Sequence, residues 1–127
     1  MATDKEKIFS DISDILVEIL DVPFTQVLPE TYLMRDLAAE SIDLMELAVG
    51  LNMRCGIEVD EDLIFLKSLR PVVEKAREEC VDPASAVAEK FSFLSARRIL
   101  DILADLEDGP VVKIKDLAAY LIHANET

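Results

Sequence analysis

The stretch Ser41-Ile42-Asp43-Leu44-Met45-Glu46-Leu47-Ala48-Val49-Gly50-Leu51-Asn52-Met53-Arg54-Cys55-Gly56 decides how the chain is read. Leu44, Leu47, Ala48 and Leu51 recur at i, i+3, i+4 and i+7, one apolar face of an α-helix. Ser41 opens that helix and Gly56 closes it, as glycine does where a helix ends in the left-handed conformation. Ile42, Met45 and Val49 form a second apolar line on another face, among Glu40, Asp43 and Glu46. One line is enough to reach a core, so the second is surplus hydrophobicity set among acids. Gly50 costs about 1 kcal/mol against alanine inside a helix, and the sequence supplies no reason for it.

On the N-terminal side, Ile8, Ile12, Ile15, Leu16, Ile19 and Leu20 recur at helical spacing with Asp11, Asp14 and Glu18 between them. This predicts an amphipathic first helix over about 4–20. The connection 21–40 holds Pro23 and Pro29, and its Phe24, Val27, Leu28, Tyr32 and Leu37 suggest a long loop packed on the core.

On the C-terminal side, Asp60-Glu61-Asp62 places acids where a helix dipole favours them. The third helix is expected to run to Leu69 and stop before Pro71. Two or three more helices are expected between Pro71 and Pro110. Asp82-Pro83 starts one, with the acid as N-cap and proline first. Ser95 caps another, in which Ile99, Ile102, Leu103 and Leu106 form a stripe before Gly109. Leu117, Ala118, Leu121 and Ile122 mark a last helix over about 114–124. Ile57–Val59 and Val111–Val112 are too short for strands, so the fold class is all-α, an antiparallel helical bundle.

The 127 residues, 51% of them hydrophobic with a mean hydropathy of +0.24, suit a single folded domain over 1–127. Twenty-six acids against thirteen bases give a net charge of -13. Such a surface repels phosphate backbones and anionic headgroups and steers toward basic protein partners. Cys55 and Cys80 form no disulfide framework, and no leader or membrane-length apolar run is visible, so a monomeric cytoplasmic protein is expected. His123, the only histidine, lies near the C-terminus, and Asp60-Glu61-Asp62 lacks the ligand pattern of a calcium loop. No catalytic and no metal-binding residues are therefore expected. Cys55, Cys80, Phe91 and Phe93 read as core.

The segment Asp36-Leu37-Ala38-Ala39-Glu40-Ser41-Ile42-Asp43-Leu44-Met45-Glu46-Leu47 resembles the signature of acyl carrier proteins, with an acid, a serine and an aliphatic residue opening the second helix. The likeness continues through Cys55-Gly56-Ile57-Glu58-Val59-Asp60-Glu61-Asp62 and resumes at Val112-Lys113-Ile114-Lys115-Asp116-Leu117-Ala118-Ala119-Tyr120-Leu121, similar to the family's closing helix. The resemblance implies that Ser41 bears 4′-phosphopantetheine, attached by a phosphopantetheinyl transferase, and that acyl groups ride on the arm as thioesters. The protein would then be a carrier and not an enzyme. It would deliver intermediates to acyl-transferring or condensing enzymes of fatty-acid, lipid or polyketide synthesis. Glu40, Ile42, Asp43, Met45, Glu46 and Val49 would meet the basic docking patches of those partners. Leu44, Leu47, Ala48 and Leu51 would line the core or an acyl pocket.

Elementary chemistry agrees, since unpaired N–H groups and the positive dipole end at a helix start favour an attached phosphodiester. The competing reading is that Ser41 merely caps its helix, serine being a favoured N-cap. Glu40 stands where the family has aspartate, Ala38 where glycine is usual, and Asn52-Met53-Arg54-Cys55 where helix two is normally acidic. Residues 70–109 interrupt the likeness and read as a helical insertion with its own apolar set: Val73, Val87, Phe91, Phe93, Leu94, Ile99, Leu100 and Leu103. The rival from another class is a helical adaptor on the same scaffold that never takes the arm.

Overall fold

The computed structural model describes residues 4–126. Seven α-helices follow in order among them: α1 (Asp4–Leu20), α2 (Ser41–Cys55), α3 (Glu61–Ile64), α4 (Leu69–Glu78), α5 (Pro83–Lys90), α6 (Ala96–Asp105) and α7 (Ile114–Glu126). Short 3-10 turns occupy Phe24–Gln26 and Leu106–Asp108. No strand forms among the described residues, only an isolated antiparallel bridge between Tyr32 and Lys113. The chain is all-α, as its periodicities predict.

α1 and α2 run antiparallel. Cys55 Sγ lies 3.8 Å from Asp11 Oδ2, Arg54 reaches Asp14, and Gly50 faces Ile15. A Cβ on Gly50 would sit 3.2 Å from two carbons of Ile15. Close approach of the two helices is thus the reason for the glycine. α7 packs on α1 and α3, and its Asn125 shares a cleft with Asp4, Lys7 and Ile8. Ile12, Leu16, Leu47, Leu51, Ile64, Ile114, Leu117 and Leu121 are fully buried where these helices meet.

α4, α5 and α6 pack in succession on one another, burying Val73, Val87, Phe91 and Ile102. Phe93 meets Phe91 and Tyr120 of α7 edge to face, with ring centroids 6.4 and 5.4 Å apart. Three arginines fasten this group. Arg98 binds both carboxylate oxygens of Asp116 at 2.8 Å and the Val111 carbonyl. Arg35 binds Asp105 and the Gly109 carbonyl, and Arg70 binds the Leu106 and Gly109 carbonyls. Arg98 and Asp116 are 6% and 1% exposed, so this is a desolvated, bidentate pair.

The structure corrects several expectations. The third helix does not reach Leu69. It ends at Ile64, because Leu66 turns left-handed (φ +54°) while Leu66 N and Lys67 N bond back to Leu63 O and Asp62 O. That is the bonding of a glycine-type C-cap with leucine in the glycine position. Pro71 does not stop a helix but sits in the first turn of α4, where an N–H has no intrahelical acceptor. Phe24 and Leu28 are exposed, not packed on the core, and Leu100 is exposed within the α4–α6 group. Cys80 is no core residue; it is exposed in the left-handed position (φ +59°) after α4.

Candidate functional site

The approach to α2 is fixed before the helix begins. Leu33 and Leu37 bury their side chains, and Leu33 N donates to Val112 O while Ile114 N donates to Thr31 O. These bonds tie the loop to the segment entering α7. Tyr32 lies between the Arg35 guanidinium, 4.3 Å from its ring centre, and Lys113 at 4.9 Å. Its hydroxyl donates to Asp105. That bond and the Arg35 guanidinium hold the Asp105 carboxyl below its ordinary pKa, and the same bond pushes the Tyr32 phenol up. Ala38, where glycine is usual in the resembling family, adopts φ +56°. This accounts for the glycine preference and leaves alanine strained by about 1–2 kcal/mol.

Glu40, in extended conformation, is the N-cap of α2. Its N–H donates to Asp43 Oδ2 at 2.8 Å, half of a capping box. Ser41 is therefore the first helical residue and not the cap, which overturns the plain capping reading. Its side chain is exposed and makes no hydrogen bond among the described residues. The first-turn N–H groups beside it have no intrahelical acceptor, and the dipole there favours a covalently held phosphate. These features fit an attached phosphopantetheine.

The second apolar line is a surface. Ile42, Met45 and Val49 are 60–62% exposed, Glu40 and Glu46 are exposed, and Asp43 is half-buried. Leu47, Ala48 and Leu51 lie in the core, with Leu44 half-buried above them. Met53, 80% exposed, extends the line by another turn. It stands where the resembling family is acidic, at i+4 from Val49. With Ile15 and Ile19 of α1 these side chains wall an open groove of about 720 Å³.

Cys55 is half-buried, and burial together with nearby Asp11 pushes its thiol pKa up. His123 is exposed on α7. Among the described residues no group of three His, Cys, Asp or Glu side chains is placed to hold a metal ion, and no helix is long and apolar enough to cross a membrane.

The family described as "Phosphopantetheine attachment site" matches residues 10–74, from within α1 into α4. The chain is 32% identical over 96 residues to a meromycolate extension acyl carrier protein of Mycolicibacterium smegmatis, spanning 72% of this chain and 97% of that one. It is 36% identical over 55 residues to an acyl carrier protein of Helicobacter pylori, spanning 43% and 70%. A third relative, an acyl carrier protein of Thermobifida fusca, is 32% identical over 74 residues, spanning 58% and 94%. No solved structure gives a significant match. The chain belongs to the acyl carrier protein family, whose members are carriers rather than enzymes. The prosthetic group of its attachment domain is 4′-phosphopantetheine.

Proposed function

We propose that Ser41 bears the 4′-phosphopantetheine arm and that the protein delivers acyl thioesters between enzymes of fatty-acid or related lipid assembly. The observation that carries this reading is the free, exposed Ser41 hydroxyl at the first position of α2, with Glu40 taking the cap. A phosphopantetheinyl transferase supplies the esterification, so Ser41 requires no base of its own. The exposed face of Glu40, Ile42, Asp43, Met45, Glu46 and Val49 meets the transferase and the acyl-handling enzymes, acids steering basic patches and apolar side chains filling the contact. The acyl cargo is in keeping with relatives named for meromycolate extension.

Residues 70–109 are a helical insertion within one carrier domain spanning 1–127, and the carrier acts as a monomer. Support for the insertion comes from α7, which returns to pack on α1 and α3 after α4–α6 have packed on one another. The helix that opens this group, α4, begins at Leu69.

Coexpression with a broad-specificity phosphopantetheinyl transferase, followed by intact-mass measurement, tests the assignment. Wild type gains one phosphopantetheine mass and Ser41→Ala gains none. A wild-type chain left unmodified by several transferases sinks the carrier reading and leaves the unmodified adaptor.

A further inference from the structure

The α4–α6 group and the end of its chain at Gly109 reach the loop before Ser41 through two side chains. Among the described residues, the hydrogen bonds that join them to this loop are those of Tyr32 and Arg35. Tyr32 Oη donates to one carboxylate oxygen of Asp105, the last residue of α6, at 2.6 Å, and Arg35 Nη1 donates to the other at 2.9 Å. Arg35 Nη2 adds the Asp105 and Gly109 carbonyls at 3.1 and 3.0 Å. The guanidinium is seated closely, since a Cβ on Gly109 would stand 3.4 Å from its Nε. From farther off, Asp108 attracts Arg35 and Lys113 attracts Asp105. What these bonds hold is a turn. Asp36 N and Leu37 N donate to Tyr32 O, Ala38 N to Met34 O and Ala39 N to Leu33 O, while Tyr32 N donates to Asp36 Oδ2. The turn sets Ala38 at φ +56°, a conformation that alanine keeps only where its surroundings over-determine it. Ser41 lies two residues beyond Ala39, about 7 Å of chain at full extension. The place of its hydroxyl is therefore inherited from the turn.

We propose that Arg35 and Tyr32 are positioning residues for the modification of Ser41: by anchoring the turn 32–39 on Asp105 they fix where the serine oxygen is presented to the phosphopantetheinyl transferase. The inserted helices thereby act on the attachment site through this turn. The consequence for modification rests on the reading of Ser41 as the arm site; the anchoring of the turn does not. In the transfer the Ser41 oxygen bonds the phosphorus of the donor, coenzyme A, and its proton passes to the transferase. The phosphoanhydride bond to the nucleotide breaks and adenosine 3′,5′-bisphosphate leaves. A reacting atom misplaced by about 1 Å can slow such a step about a hundredfold. Docking is left to the face of α2, so loss of the anchor should lower the rate and spare the affinity.

The test is the steady-state kinetics of modification of the full-length chain by a broad-specificity transferase with coenzyme A. Arg35→Met keeps most of the side chain's bulk and loses its bonds to Asp105 and Gly109. Its kcat should fall about tenfold, while KM for the carrier changes by less than about twofold. Tyr32→Phe, which removes one hydroxyl from an otherwise unchanged ring, should lower kcat about threefold and decides the matter if Arg35→Met does not fold. Glu30→Gln loosens the same loop upstream of the turn, at its ion pairs with Lys113 and Lys115, and should leave kcat unchanged. In NMR spectra the backbone amides of residues 38–42 should shift in Arg35→Met and stay in place in Glu30→Gln. Wild-type kcat in a folded Arg35→Met chain overturns the proposal, as does a rise in KM at constant kcat. So does an equal loss of kcat in Glu30→Gln, or a loss in Arg35→Met with those amides unmoved. A wild-type chain that takes no arm overturns the reading of Ser41 instead, and the amides of 38–42 then still decide whether Arg35 sets the turn.

Discussion

Two seams hold the helices together by opposite means. α1 meets α2 through Ile12, Ile15, Leu47 and Leu51, with Gly50 letting the backbones close in. Those side chains gain from leaving water and need no particular partner. α6 meets the entry to α7 through Arg98 and Asp116, charges that lose hydration on burial and are tolerable only because both carboxylate oxygens, the Val111 carbonyl and Lys113 N are all engaged. The first seam tolerates approximate chemistry but demands shape. The second demands every partner at once.

The largest effect should follow from breaking the polar seam one-sidedly. Arg98→Ala strands the Asp116 carboxylate in the interior and should cost about 3–5 kcal/mol in denaturant unfolding. Replacing both residues by apolar ones of similar volume should recover most of that loss. Equal losses in the single and double variants would mean that the pair contributes through something other than its mutual satisfaction. Next comes the apolar seam. Gly50→Val drives two methyls toward Ile15 and should cost about 1–3 kcal/mol, whereas Gly50→Ala should fall nearer neutral because helix propensity offsets about 1 kcal/mol of crowding. A fully stable valine variant would show that the helices are not in contact there.

The smallest effect concerns acid. Asp105, held low by the Tyr32 hydroxyl and Arg35, and Glu30, held low by Lys115 and Lys113, have folded-state pKa values below the unfolded ones. Their contribution is present above the ordinary carboxylate range and is lost as pH falls through the depressed values, below about pH 4. Thermal melts from pH 6 downward should therefore fall steeply only at the acid end, and Asp105→Asn should flatten that limb. An unchanged limb in the variant would remove Asp105 from the account.

What the sequence disclosed follows the same division. α1, α2 and α7 were legible because Ile12, Leu47 and Leu117 sit in 3.6-residue stripes, and burial enforces such stripes. The end of α3 was not, since Leu66 takes a left-handed position that normally announces itself as glycine, its buried side chain offsetting the strain. Arg98 was invisible because a charge next to Arg97 in an amphipathic helix reads as solvated; only its partner eighteen residues later makes it a core residue. On α2 the exposure of Ile42, Met45 and Val49 follows from surplus hydrophobicity, whereas that of Met53, standing where the resembling family is acidic, is not signalled by the stripe of three. Ser41 was located correctly on the helix start, but the cap belongs to Glu40, which an extended backbone angle decides and composition does not.

The return of α7 to α1 has a consequence for how the chain reaches its native state. The first and last helices must find each other across the whole intervening polypeptide, and residues 65–113 stand between α3 and its contact with α7. Lengthening such a closure costs little at equilibrium, about 0.6 kcal/mol per doubling of a flexible loop. It raises the sequence separation of the contacts that complete the core, and folding rate falls with that separation. The neighbouring contacts of α4, α5 and α6 are local and form without waiting. Refolding of this chain should thus be paced by the arrival of its C-terminal helix, with the middle of the sequence ordered first.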